Sequence, residues 1–263
     1  MQAKLWVIKI GGNVIDDAEG LQRFLVRFAN LRGAKILVHG GGKIATRMAA
    51  DMGIEAKLVE GRRVTDEAML RIVTMVYAGL TNKQVVAQLQ AAGCNAIGLS
   101  GADGNAIRTV KRPVHTVDYG FVGDMLPSSV DTDTIATLVD AGLTPVFSAI
   151  THDGQGQLLN TNADTIAAAL AVALSSRYAT SLVYCFEKRG VLRDVNDENS
   201  VIAEIRLGEF EPLKTSGVIA DGMVPKLQNA FEAIGKGVEE VCIGHADNLE
   251  LLREQHFGTR LVR

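Results

Sequence analysis

Cysteine is scarce in this chain: Cys94, Cys185 and Cys242 lie far apart, each inside an apolar run. Thiols placed like this form neither a disulfide framework nor a metal cluster, and they fit buried free cysteines in a reducing cytosol. The five histidines show no ligand spacing either. Long apolar runs are missing. No stretch reaches the roughly 18 residues that a membrane span needs, and the N-terminus patterns as a strand and not as a signal peptide. An excess of basic charge is also absent. Lys and Arg number 27 against 30 Asp and Glu, a formal net charge of −3, which leaves no electrostatic footprint for nucleic acid. Two common nucleotide motifs fail to appear. No Gly-x-Gly-x-x-Gly follows a strand-like run, and Gly42-Lys43 is followed by Ile44, with the neighbouring glycines too close for a Walker loop. These absences leave a cytoplasmic protein acting on small molecules, without a membrane or nucleic-acid partner.

What is present is regular alternation. The 263 residues, 47% of them hydrophobic and 22% charged, suffice for one large domain or two small ones. Leu5, Trp6, Val7, Ile8 and Ile10 make a short apolar run interrupted by Lys9 and followed by Gly11-Gly12. A lysine in a buried strand is costly unless it meets an anion or sits where the strand opens into a site. Either the strand end presents an ammonium and bare N–H groups to a phosphate, or Lys9 is an edge-strand lysine reaching solvent. Positions 16–31 then carry apolar residues at helical spacing, with Gly33 beyond them. The run 34–38 is a second strand entering His39-Gly40-Gly41-Gly42-Lys43, and 44–52 a helix. Strand, glycine loop and helix in succession form a context for anion binding, because a helix start has unpaired N–H groups and the positive end of the dipole.

The stretch 67–92 is the longest helical region, and its apolar residues wrap most of the circumference. Such a helix must be covered on nearly all sides, by its own chain or by a second copy. The second option makes Met69, Ile72, Val73 and Val76 candidates for a two-fold interface. Further strands are expected at 94–99, 144–150, 181–186, 240–243 and 259–262, helices at 134–141, 165–174 and 224–236, and a β-ribbon within 107–125. Regular strand–helix alternation predicts an α/β fold, an open, mainly parallel sheet with helices on both faces, its ligand beyond the carboxyl ends of the strands.

Lys9-Ile10-Gly11-Gly12-Asn13, His39-Gly40-Gly41-Gly42, Gly61-Arg62-Arg63-Val64-Thr65, Asn160-Thr161-Asn162-Ala163-Asp164, and Asp221-Gly222-Met223 with Lys226 together resemble the amino-acid kinase family. The likeness runs through the whole chain, including Val117–Gly123, and is greatest to the branch that acts on N-acetylglutamate. Each motif alone is weak; five in order at fitting intervals are strong. The resemblance implies a three-layer sandwich in which 1–175 bind an acylglutamate and 176–263 bind ATP. It implies transfer of the γ-phosphoryl of ATP to the side-chain carboxylate of N-acetyl-L-glutamate, a step of arginine biosynthesis. Lys9 and Lys226 are the implied catalytic ammonium groups, and Asp164 holds them in place. Gly41, Gly42, Arg63 and Asn160 would bind the acylated amino acid. Gly11, Gly12, Glu187, Gly190, Ala220 and Asp221 would bind the nucleotide. Mg²⁺ would be held mainly by phosphates and water. No general base is required, since the acceptor carboxylate is already ionised at neutral pH.

The chain departs from the family pattern at Phe186-Glu187-Lys188-Arg189-Gly190, where members usually have Ser/Thr-Asp-Val before the glycine. Glu187 keeps a carboxylate one carbon longer, and Lys188 or Arg189 is available to a phosphate. By the same resemblance the arginine-inhibited hexamers carry an extra leading helix, and a chain that starts at the first strand is expected to be a homodimer. Two alternatives stand beside the main reading. One is the same reaction on another N-acylglutamate, such as N-succinylglutamate. The other is a non-catalytic storage or regulatory protein of the same fold, against which both lysines and Asp164 argue.

Overall fold

The computed structural model describes residues 2–59, 61–219, 223–254 and 256–263. In chain order its main elements are β1 (Lys4–Ile10), α1 (Gly12–Asp16), α2 (Ala18–Asn30), β2 (Ala34–His39), α3 (Gly42–Asp51) and α4 (Glu67–Val73). A π-helical segment, Thr74–Thr81, joins α4 to α5 (Asn82–Ala91). After these come β3 (Ala96–Leu99), α6 (Thr132–Asp140), β4 (Thr144–Ser148), α7 (Ala163–Leu174), β5 (Ala179–Phe186), β6 (Glu204–Arg206), α8 (Leu207–Thr215), α9 (Met223–Gly235), β7 (Glu240–His245) and β8 (Thr259–Val262).

The strands form one eight-stranded sheet in the order β6-β8-β7-β5-β1-β2-β4-β3. From β7 to β3 every pair is parallel, while β8 runs antiparallel to β7 and parallel to β6. β1 lies in the middle, with β2 on one side and β5 on the other. The chain builds outward on the β2 side and then returns across β1 to build the other half, so β1 and β5 flank a topological switch point. Register aligns Ile10 with both His39 and Cys185, which brings the ends of these three strands to one edge of the sheet.

Strand periodicity decides what faces that edge. Leu5 and Val7 pack into the core shared with α7 and α9, whereas Trp6, Ile8 and Ile10 pack into the opposite core against Phe24 and Phe28 of α2. Burying a phenylalanine of this kind contributes about 1.5–3 kcal/mol. By the same alternation Lys9 belongs to the α7–α9 face. Tyr184 shares that face, and Phe186 packs against the same core.

The expected α/β architecture is present, with differences of detail. The stretch 67–91 is continuous helix, capped by Asp66, whose carboxylate accepts from Met69 N at 2.8 Å. Met69, Ile72, Val73 and Val76 are however 0–2% exposed, packed on Ala45, Ala49 and Ile150 of their own chain. They are therefore not a surface for a second copy; the exposed apolar residues along this helix are Met75 and Leu80. The ribbon within 107–125 is reduced to one antiparallel pairing of Val110–Lys111 with Gly123–Asp124. β6 and α8 have no counterpart in the sequence pattern. α8 fully buries only Phe210, with Leu213 partly buried beside the core, and contains Pro212, so its periodicity is faint. Among the described residues, no helix is long and apolar enough to cross a membrane.

Candidate active site

Lys9 is 8% exposed, and its ammonium meets Asp164 Oδ1 at 2.8 Å. Asp164 owes its position to the start of α7. Asn162, one of three small polar residues before that helix, is the cap: its Oδ1 accepts from Asp164 N at 2.8 Å and from Thr165 N at 3.1 Å. A carboxylate in the first turn is favoured by the helix dipole. It also offsets the desolvation of Lys9, which would be expensive for an unpaired ammonium. Beneath the pair, the Tyr184 hydroxyl donates to the Asp164 carbonyl at 3.4 Å. Burial and the nearby Asp164 charge raise the Tyr184 phenol well above its usual range. Burial likewise raises the Cys185 thiol and pushes Cys242 up to about 12, so neither is a nucleophile at neutral pH.

Lys226 lies in the first turn of α9, and Pro225 before it suits a position where a missing N–H costs little. Its Nζ stands 4.2 Å from the centroid of the Phe186 ring, and Lys9 Nζ stands 5.1 Å from the same ring. The resemblance puts Asp164 between the two lysines. In the structure Asp164 pairs with Lys9, and both ammonium groups share Phe186.

On the β2 side the glycine loop is held from below. His39 is fully buried; its Nδ1–H donates to the Gly40 carbonyl at 2.8 Å while Nε2 accepts from Asn82 Nδ2 at 3.0 Å. The same Asn82 nitrogen donates to the Val146 carbonyl at 2.9 Å. Burial lowers the His39 pKa to about 4, so the ring is neutral. Gly41 has φ 153°, and a Cβ there would come within 3.0 Å of the Tyr77 ring. Only glycine fits. Arg63 Nη2 donates to Thr46 Oγ1 at 2.8 Å, and the guanidinium also bonds the Tyr77 hydroxyl. Asn160 Nδ2 donates to Thr65 Oγ1 at 3.0 Å. Gly41, Arg63 and Asn160 line one cavity of about 180 Å³, together with Arg62, Tyr77 and Arg112. Gly42, next in the chain after Gly41, opens α3. Arg112 grips Asp124 through Nε and Nη2.

The β5 side offers a larger cavity of about 720 Å³, lined by Phe186, Glu187, Gly190, Leu192, Val218, Met223, Lys226 and Ile243. Gly190, at φ 159°, sits where a Cβ would strike Thr259. Gly11 is not a bare donor, because its N–H is given to the Cys185 carbonyl at 3.0 Å and so extends the strand pairing. Gly12 begins α1. Glu187 accepts from Asn13 Nδ2 at 2.5 Å, and Arg189 turns to Asn199 at 3.2 Å. Ala220 and Asp221 lie outside the described residues.

A third cavity, of about 120 Å³, joins the two. It shares Arg62, Asn162 and Thr165 with the smaller and Phe186, Lys226 and Ile243 with the larger, and Asp164 lies in its wall. Two pockets thus meet where Asp164, paired to Lys9, and Lys226 stand. Sequence reasoning missed Tyr77 and Arg112 as pocket walls. Tyr77 had no signal apart from membership of an apolar helix, and Arg112 none at all.

The description of the amino acid kinase family matches residues 4–245. The acetylglutamate kinase of Bacteroides thetaiotaomicron is 55% identical over the full length of both chains. That of Cytophaga hutchinsonii is 54% identical over 98% of each. Among solved structures, N-acetylglutamate synthase from Neisseria gonorrhoeae, complexed with coenzyme A and N-acetyl-glutamate, superposes with a TM-score of 0.81 at 22% identity. That match covers 99% of this chain and 59% of the other, a likeness of fold.

Proposed function

Because this chain belongs to the amino acid kinase family, we propose that it transfers the γ-phosphoryl of ATP to the side-chain carboxylate of N-acetyl-L-glutamate, a step of arginine biosynthesis. Its full-length likeness to acetylglutamate kinases supports the reaction. The single structural observation that carries it is the pair of cavities joined at Asp164 and Lys226. All residues around the smaller cavity precede position 175, and all those around the larger follow it, which supports an acylglutamate side at 1–175 and an ATP side at 176–263.

The acceptor carboxylate attacks the γ-phosphorus, the bond to the bridging oxygen breaks, and ADP leaves with that electron pair. Both reactants are anions, so the protein's work is positioning and charge stabilisation. Lys9 and Lys226 offer two cations to the transferred group in a site partly closed to water, where they act more strongly than in bulk solvent. Asp164 orients Lys9. Arg63 receives the α-carboxylate in its planar fork, while Gly41, Gly42 and Asn160 hold the rest of the amino acid. Gly11, Gly12, Glu187, Gly190, Ala220 and Asp221 would bind the nucleotide, with Gly11 contributing shape and not a donor.

Among the described residues, no group of three acidic, histidine or cysteine side chains could hold a metal ion. Asp164 is already spent on Lys9. Mg²⁺ would be held by phosphate oxygens of ATP and by water, and would supply charge neutralisation beside the two lysines. We further propose a cytoplasmic location and a homodimer, the dimer alone being supported by the exposed Met75 and Leu80 on the long helix.

One observation favours a second acyl group. Arg62 lines the acylglutamate cavity besides Arg63, while Arg112 in the same wall is already given to Asp124; N-succinylglutamate would bring one more carboxylate for Arg62. ADP release measured with a panel of N-acylglutamates tests both readings. Turnover with N-acetylglutamate is expected, a strong preference for the succinyl compound would select the second reading, and no ADP with any member of the panel would end both.

A further inference from the structure

Phe186 ends β5 at the junction of the two cavities. Lys226 Nζ lies 4.2 Å and Lys9 Nζ 5.1 Å from its ring centroid. The ring is itself stacked on Tyr184, centroids 6.1 Å apart and planes 16° apart. Gly11 lies close by: a Cβ there would come 3.5 Å from Phe186 Cδ1.

Two ammonium groups brought to one small space repel each other. Asp164 relieves Lys9 at 2.8 Å, while Lys226 rests on the ring. An aromatic face attracts a cation through its quadrupole, yet takes no proton and forms no hydrogen bond that a phosphate oxygen would have to displace. Carboxylates in that place would hold the lysines too, but would also repel the nucleotide.

We propose that Phe186 is a positioning residue for the phosphoryl transfer, its ring carrying the ammonium groups of Lys9 and Lys226 and keeping Lys226 aimed at the junction before any phosphate is there to attract it. The proposal rests on the transfer reaction argued above and adds no chemical step to it. It separates Phe186 from an ordinary core residue, because a packing role depends on shape and this role depends on the charge distribution of the ring.

The test replaces Phe186 with 4-fluoro-, 3,5-difluoro- and 3,4,5-trifluorophenylalanine, which change ring size little and weaken the quadrupole stepwise. The expected result is a stepwise fall in kcat, roughly tenfold across the series, with KM for both substrates changing much less. Phe186→Tyr should retain kcat within a few-fold, and Phe186→Leu should lose as much as the trifluoro ring. A flat fluorine series beside an impaired leucine variant would make Phe186 a packing residue and overturn the proposal. A second readout needs no turnover. In the ligand-free protein the ε-methylene protons of Lys226 should show an upfield ring-current shift in NMR spectra, kept by Phe186→Tyr and lost in Phe186→Leu. Lack of that shift in the unsubstituted protein overturns the placement directly. Should the unsubstituted protein release no ADP with any N-acylglutamate, the reaction is misassigned, and the ring-current measurement still decides whether Phe186 carries Lys226.

Discussion

Replacing Lys9 or Lys226 by alanine should lower kcat by roughly 10²–10³, the scale of losing one preorganised group that meets charge in the transition state, with a smaller change in KM. Steady-state rates of the unsubstituted enzyme in either variant would remove that lysine from the mechanism. His39 permits a prediction of another kind. Its pKa is lowered from 6.5 to about 4 in the fold, so between these values the unfolded chain binds a proton that the folded chain refuses. Stability is complete above pH 6.5 and falls as pH drops toward 4, by about 3 kcal/mol for this group. Urea unfolding at steps between pH 7 and 4 measures the slope. His39→Asn keeps a donor for the Gly40 carbonyl and should flatten it; an unchanged slope would assign the acid sensitivity to other groups. At this scale the sequence was legible where a residue type sat in the wrong surroundings. Lys9 stood out as a charge inside an apolar strand, and three glycines stood out for being more than a turn needs. Phe186 could not be read the same way, because an aromatic at a strand end looks like core until the ammonium groups beside it are seen.

The loop joining β2 to α3 shows how an element shapes a site. Gly41→Ala would place a side chain at φ 153° and against Tyr77. Strain of this kind costs about 1–3 kcal/mol, and its relief requires a shift of the loop or of Tyr77, both of which line the smaller cavity. KM for the acylglutamate should rise roughly tenfold or more while KM for ATP stays within about twofold, figures that follow if most of that strain appears in binding. Equal changes in both constants would mean that the loop does not belong to one substrate. Most elements were visible in the pattern because their apolar residues kept a period of 2 or of 3.6. β6 and α8 were not, since three strand residues and a helix burying only Phe210 carry too few apolar positions to show any period. The helix 67–91 was visible, but its cover was misjudged. Periodicity reports that Ile72 and Val76 are buried, and it cannot say by which chain.

For the molecule as a whole, a dimer seated on Met75 and Leu80 predicts that exchanging both for glutamate yields a monomer in light scattering, with the fold retained by circular dichroism. A monomeric unsubstituted chain at micromolar concentration would remove the dimer altogether. Strand alternation foretold the open parallel sheet and the edge at which the cavities lie, because at a switch point the connections leave the carboxyl ends of neighbouring strands in opposite directions and open a crevice between them. The antiparallel entry of β8 was beyond such reasoning, since direction within a sheet depends on which neighbour a strand finds. That strand has a consequence for the order in which the chain can assemble. β6 pairs only with β8 in the sheet, and β8 is made after α8, α9 and β7. During synthesis β6 must therefore wait, unpaired, until Thr259–Val262 have left the ribosome, and loss of that strand would leave β7 as an open edge and β6 without a partner, their free backbone groups exposed to association with other chains.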